Sequence, residues 1–319
     1  MKKYLPYLAL VALALLAYGF FNYPENQTAL GDAISRDSIP NLAENNSVAI
    51  EEPRWKKWPR VREVSDPLLG VVLGDLESHM QRGHQYTDKN KMTWAHETTH
   101  GINAKIRNSV TAKEAFNGFY VLQDRAIVLK EPTITIRDVA GVIPPALRGP
   151  SFKLYLEDQA LAWNDRPLYL MDEWIAYTNG AEAGKELNVR GWYYELLQAH
   201  NFNVYCMYMA MVVQRDCSDY RDVELKQFLK WNIERVFRHS LPSDRTKEDV
   251  GLPISEKVVA SSNAFICPHC TFPGVGAENN LQVVKDYVEK VRTLPEAEKL
   301  RKFAREYFGE EWCKKVYGF

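Results

Sequence analysis

The chain has 319 residues, enough for one large domain or two smaller ones around a substantial core. With 46% hydrophobic, 25% charged and 12% aromatic residues it has a globular composition, which argues against disorder or a coiled coil for its bulk. Its 40 basic and 41 acidic residues nearly cancel, so the basic excess of a nucleic-acid-binding surface is lacking and no nucleic-acid partner is expected.

The first element is apolar. Lys2 and Lys3 precede an uncharged stretch from Tyr4 to Phe21. That length is close to the shortest helix that spans a bilayer, and longer than most signal-peptide apolar regions. The two lysines should stay cytoplasmic and the rest of the chain be exported. Ala17-Tyr18-Gly19 is a poor cleavage site because Phe20 and Phe21 follow. The expectation for residues 1–21 is therefore a signal anchor that contacts the membrane through residues 4–21. The body would be extracytoplasmic, or secreted if the segment is a cleaved signal peptide.

Residues 22–66 read as a polar tether without sustained periodicity. At its end, "RWKKWPRVREVSDP" mixes tryptophan with basic residues. It can lie on an anionic membrane surface, or pack on the domain through Trp55 and Trp58; the second reading is favoured. The folded domain is expected over 67–319. "DPLLGVVLGDLESHMQRG" reads as a helix with a leading Asp-Pro, and "KMTWAHETTHGINAKIRNS" as a second one. Residues 116–143 are rich in Val, Ile, Thr, Tyr and Phe and read as two or three strands. "SFKLYLEDQALAWNDRPLYLMDEWIAYTNGAEAG" returns to helix, closed by Asn179-Gly180. "GWYYELLQAHNFNVYCMYMAMVVQRD" reads as a buried helix, "DVELKQFLKWNIERVFRHS" as an amphipathic one, and the tail as two or three charged helices. The predicted fold class is α+β, helix-rich with a small sheet.

Chemistry is concentrated in "TWAHETTHGIN". His96 and His100 lie four apart, one turn along the same helical face, where two imidazoles can share one tetrahedral zinc. Glu97 projects beside them and can reach a water on the metal without being a ligand. That is the metalloprotease arrangement: the metal acidifies the water, and the glutamate takes its proton. Two histidines hydrogen-bonded in a helical core are the alternative explanation.

With this motif the chain resembles the zincin metallopeptidases. The metzincin branch would need glycine at 104 and histidine at 107, where this chain has Ala104 and Arg107. The gluzincin branch takes its third ligand from a glutamate on a later helix. Glu173-Trp174-Ile175-Ala176 matches its Glu-x-x-Ala pattern, and is most similar to the Glu-Phe-Phe-Ala pattern of the anthrax lethal factor group. The resemblance implies a zincin-like catalytic domain, Zn2+ held by His96, His100 and Glu173, and peptide or protein substrates. It also implies Glu97 as general base and Tyr169 near the substrate carbonyl. It covers about 20 of the 319 residues. Asp172, Glu182 and His200 compete for the third ligand position, and Asp172 can instead orient a ligand histidine. By analogy, an edge strand in 116–143 would hold an extended peptide.

Five cysteines stand at 206, 217, 267, 270 and 313. Cys206 and Cys217 are too far apart along one helix to pair. Cys267-Pro268-His269-Cys270 looks like the active site of periplasmic thiol oxidases, but the following "TFPGVG" opens no regular helix. A loop disulfide is favoured there. Two alternatives to a peptidase remain: a noncatalytic binding or scaffold protein on a zincin-like fold, and a thiol–disulfide protein using Cys267 and Cys270.

Overall fold

A computed structural model of the chain describes residues 52–64, 66–81, 86–112, 114–221, 223–240 and 280–319. The apolar stretch at 4–21, the first part of the tether, and Cys267 and Cys270 lie outside the described residues. All described residues belong to one compact unit, Glu52–Phe319. Among them, no helix is long and apolar enough to cross a membrane.

The unit is mostly helical with one small antiparallel sheet. Its first strand, β1 (Lys56–Lys57), falls within the stretch read as tether. Trp55 is what holds that stretch: its ring lies edge-on to Phe228 and Trp231, with centroids 6.1 and 4.7 Å away. Helix α1 (Gly70–His79) follows a single 3-10 turn, which Asp66 caps by accepting the Leu68 N–H at 2.9 Å. Helix α2 (Lys91–Asn108) carries the two-histidine motif. The Asn90 side chain starts it by accepting the Met92 N–H at 3.0 Å, and Lys105 and Arg107 suit the negative end of its dipole.

Strands β2 (Phe116–Tyr120) and β3 (Arg125–Lys130) form a hairpin in which Phe116 faces Lys130 and Gly118 faces Val128. The sheet order is β1-β3-β2. The rest of the segment read as strand is helix α3 (Ile136–Val142). Thr135 and Asp138 form a reciprocal capping box there, and Ile136, Val139 and Ile143 fall at helical spacing on the core. Residues Lys153–Asp158 wind as a π-helix leading into the short α4 (Ala160–Trp163).

Helix α5 (Tyr169–Glu186) runs straight through Asn179-Gly180, where the turn residues suggest an end. Asn179 is fully buried and serves as a crosslink: its amide donates to Thr99 Oγ1 at 3.0 Å, and its carbonyl accepts from Arg235 at 2.6 Å. Tertiary bonds thus replace the local ones that make Asn a helix terminator. Helix α6 (Trp192–Asp216) is the long buried helix expected. Helices α7 (Val223–Ser240), α8 (Asn280–Thr293), α9 (Glu298–Phe308) and α10 (Glu310–Val316) close over it. The main core runs from Phe119 and Ile127 of the sheet through Leu170, Trp174 and Ile175 of α5 to Phe202 and Met209 of α6. A second cluster joins α1, α2 and the hairpin through Leu73, Leu76, Ile102 and Tyr120. The two-histidine helix packs into the second cluster through Ala95, Ile102 and Ile106, while α5 contributes to both.

Candidate metal centre

On α2, His96 and His100 point their Nε2 atoms at each other, 3.1 Å apart. Glu173 arrives from α5. Its Oε2 lies 3.5 Å from His96 Nε2 and 3.6 Å from His100 Nε2. A tetrahedral ion with bonds of about 2.0–2.1 Å needs donor atoms roughly 3.3–3.4 Å apart. The triangle brackets that separation. Glu173 Oε2 is buried and accepts no hydrogen bond, an orphaned acceptor aimed into the triangle. The donor set of two imidazoles and one carboxylate therefore fits a divalent metal, and the residues present can hold one.

The electrostatics agree. Burial alone would lower the His96 pKa, yet Glu173 and Glu195 outweigh it and raise the group to about 9. His100 is raised well above its ordinary value; Glu173 and Asp172 overcome its burial. Burial pushes the Glu173 carboxyl up, but the facing His100 and His96 hold it well below the usual carboxylate range. With protons alone to fill it, this site collects positive charge, which is what a dication supplies.

Two of the three candidate donors have a hydrogen-bonded partner behind them. His100 Nδ1 lies 3.0 Å from Asp172 Oδ1, and Asp172, fully buried, also accepts the Asn103 amide at 2.6 Å. Asn103 in turn accepts the Tyr120 N–H at 2.7 Å, tying the motif helix to β2. Asp172 thus backs His100 and does not compete with Glu173. Tyr169 stands one turn before Glu173 on the same face of α5. Its hydroxyl lies 2.6 Å from Glu173 Oε1 and 3.0 Å from Gln159 Oε1. The sequence expectation put Tyr169 near the substrate carbonyl; here its hydroxyl is set against the Glu173 carboxylate, whose Oε2 is turned toward the histidines. Burial, then the charge of Glu173, pushes its pKa well up, so the phenol keeps that proton. Two further tyrosines missed in the sequence flank the centre. The Tyr177 ring stands edge-on to His96 with centroids 4.4 Å apart, and its hydroxyl meets that of Tyr155 at 2.7 Å.

Glu97 is partly exposed, and none of its hydrogen bonds or ion pairs falls among the described residues. Beyond burial, its charge helps raise the Tyr177 and Tyr86 hydroxyls. Gly101, a weak helix former in mid-helix, is explained by Met80, whose Cε would lie 2.4 Å from an added Cβ.

The remaining competitors are elsewhere. Glu182 is bound to Arg235 at 2.5 Å and His239 at 2.7 Å. His200 is buried against Ser240 Oγ at 2.6 Å, and burial drives its pKa down to about 3. The edge of β2 is not open to a peptide at Tyr120, whose N–H goes to Asn103 and whose carbonyl receives Asn179. Cys206, Cys217 and Cys313 are buried thiols.

Asp75, His79 and Asp124 make a second His/Asp cluster. Here Arg60 already supplies the cation, 3.1 Å from Asp124 and 3.7 Å from Asp75. Asp75 Oδ2 also accepts the Tyr120 hydroxyl and the Gln123 N–H at 2.8 and 3.0 Å. Leu122, Gln123 and Asp124 are all left-handed, with φ of 69°, 57° and 59°, at about 1–2 kcal/mol each. The cluster clamps that strained turn.

One residue outside the centre positions α5. Glu131 Oε2 accepts the N–H of Leu168, just before the helix, at 3.0 Å. Burial raises its carboxyl to about 7, despite the Leu168 N–H and the charges of Arg166 and Arg107. The folded chain holds this proton more tightly than the unfolded chain, whose glutamate titrates near 4.5. The associated stability is complete below that pH and is lost as pH rises to about 7, a loss on the order of 3 kcal/mol. Glu131→Gln keeps the acceptor and removes the charge. Denaturant unfolding should find it close to wild type at pH 4.5 and more stable at pH 8. An equal gap at both pH values would contradict the assignment.

No family model, no curated protein and no solved structure matches this chain.

Proposed function

We propose that the chain is a zinc-dependent metallopeptidase, with His96, His100 and Glu173 as ligands and Glu97 as general base. The observation that carries the reading is the convergence of three donor atoms from two helices at tetrahedral spacing, with Glu97 directly following His96 in sequence. When bound there, zinc would polarise the scissile carbonyl and acidify a water. Glu97 takes the proton of the attacking water and returns it to the leaving amine. Asp172 accepts from Nδ1 of His100, which leaves Nε2 free to face the site. Tyr169 holds Glu173 Oε1, which leaves Oε2 free likewise. Two imidazoles and a carboxylate also suit a non-haem iron centre. The octahedral edge there is nearer 3.0 Å, shorter than all three separations, and such a centre has no task for Glu97. From the apolar stretch Tyr4–Phe21 we extend the proposal to a membrane-tethered, extracytoplasmic enzyme acting on peptide or protein substrates.

Metal analysis of the purified full-length chain tests the core of this. About one zinc per chain is expected in the wild type, lost in His100→Ala, with cleavage of casein or a peptide library by the wild type alone. A wild type that takes up no zinc, after growth with ample metal, would leave a noncatalytic binding protein. One iron per chain would replace the peptidase with an oxygenase.

A further inference from the structure

The two ligand histidines are not backed alike. His100 has Asp172. His96 turns its Nδ1 toward α6, where Glu195 Oε2 lies 3.5 Å away. That separation is an ion-pair contact, longer than a hydrogen bond. Glu195 sits in the first turn of α6, where the helix dipole favours an anion. Its side chain is 19% exposed, but Oε2 itself is buried and accepts no hydrogen bond. The carboxylate gets there because α5 has a glycine at the crossing. A Cβ on Gly180 would stand 2.7 Å from Glu195 Oε2. So the residue that looks like a helix terminator is the gap through which a third helix reaches the motif.

We infer that Glu195 is a positioning residue of the metal centre, holding His96 through Nδ1 as Asp172 holds His100. The inference rests on the metal reading proposed above. A neutral imidazole that gives its Nε2 lone pair to a metal carries its proton on Nδ1, and that proton needs an acceptor. Among the described residues, Glu195 is the carboxylate that faces it. The carboxylate fixes the ring's orientation and increases its basicity, so its loss weakens metal binding without removing a ligand. It also joins the metal to α6, the helix that carries much of the main core.

Zinc affinity of the full-length chain, measured by competition with a chromophoric chelator, tests this. Glu195→Ala should weaken zinc about 10–100-fold. Glu195→Gln keeps an oxygen acceptor for Nδ1–H and should lose less than the alanine variant. Gly180→Ala touches neither histidine, yet should weaken zinc by displacing the carboxylate. The thermal midpoint of the metal-free proteins is read in parallel. A purely structural Glu195 would lower that midpoint in Glu195→Ala and leave affinity within twofold of wild type, which overturns the inference while the zinc reading stands. Should Glu195→Ala not fold, wild-type affinity in both Glu195→Gln and Gly180→Ala overturns it equally. A wild type that binds no zinc overturns the metal reading and this inference together.

Discussion

Glu97→Gln should retain one zinc per chain and lose peptide hydrolysis by about 100- to 10,000-fold, the usual worth of a general base. The substitution is isosteric, and Glu97 is not among the three converging donors, so the metal has no reason to leave. What disappears is the motif's own carboxylate, whereas the two on the later helix hold the site: Glu173 faces the histidines, and Asp172 backs His100. An amide cannot accept the water's proton at neutral pH. The measurement is zinc content and peptide-library cleavage on one preparation. Undiminished cleavage with zinc in place would remove Glu97 from the chemistry. Loss of zinc with loss of cleavage would instead make Glu97 part of the metal's support.

Glu173→Ala should lose zinc by more than the 10–100-fold expected for a residue behind a ligand, so that dialysed protein carries almost none. Three consequences act together. One of three donors goes. The two histidines lose the anion that does most to offset their burial. The Tyr169 hydroxyl is left with Gln159 as its acceptor. The apo protein should still fold, because Trp174, Ile175 and Leu170 anchor α5 in the core independently of the site. The zinc-dependent rise in thermal midpoint expected of the wild type should vanish with the ligand. Full zinc retention in Glu173→Ala, with loss in His100→Ala, would move the third ligand to another carboxylate at this crossing, Asp172 or Glu195.

The chemistry of α2 was legible in the sequence because it is local. A His-Glu-x-x-His spacing places two imidazoles on one helical face whatever the rest of the chain does. The long helices α6 and α7 were legible for the same reason, since periodicity and length are properties of a segment. The 3.6-residue spacing of Ile136, Val139 and Ile143 was also present, but beside a β-branched run it was outweighed by composition, and the capping box of Thr135 and Asp138 was the signal that decides for helix.

What only the tertiary structure decided is where α5 crosses α2 and α6. Glu173 could be singled out by resemblance, but its arrival at the histidines depends on that crossing. So does the role of Tyr169, whose hydroxyl meets the Glu173 carboxylate one turn on. Asn179-Gly180 reads as a terminator because, in isolation, Asn bonds its own backbone and Gly has none but entropic preferences. Buried between helices, Asn179 bonds Thr99 and Arg235 instead, and the missing Cβ of Gly180 admits Glu195. Likewise Trp55 turns part of a polar tether into domain by finding Trp231, 176 positions later in the chain. The sequence by itself determined which residues can do chemistry and which helix presents two of them. The packing of α5 and α6 against that helix decided which carboxylate faces the pair and which ones stand behind it. Side-chain spacing within a helix is set by backbone geometry, whereas the approach of one helix to another is set by shape at the crossing, which no single segment encodes.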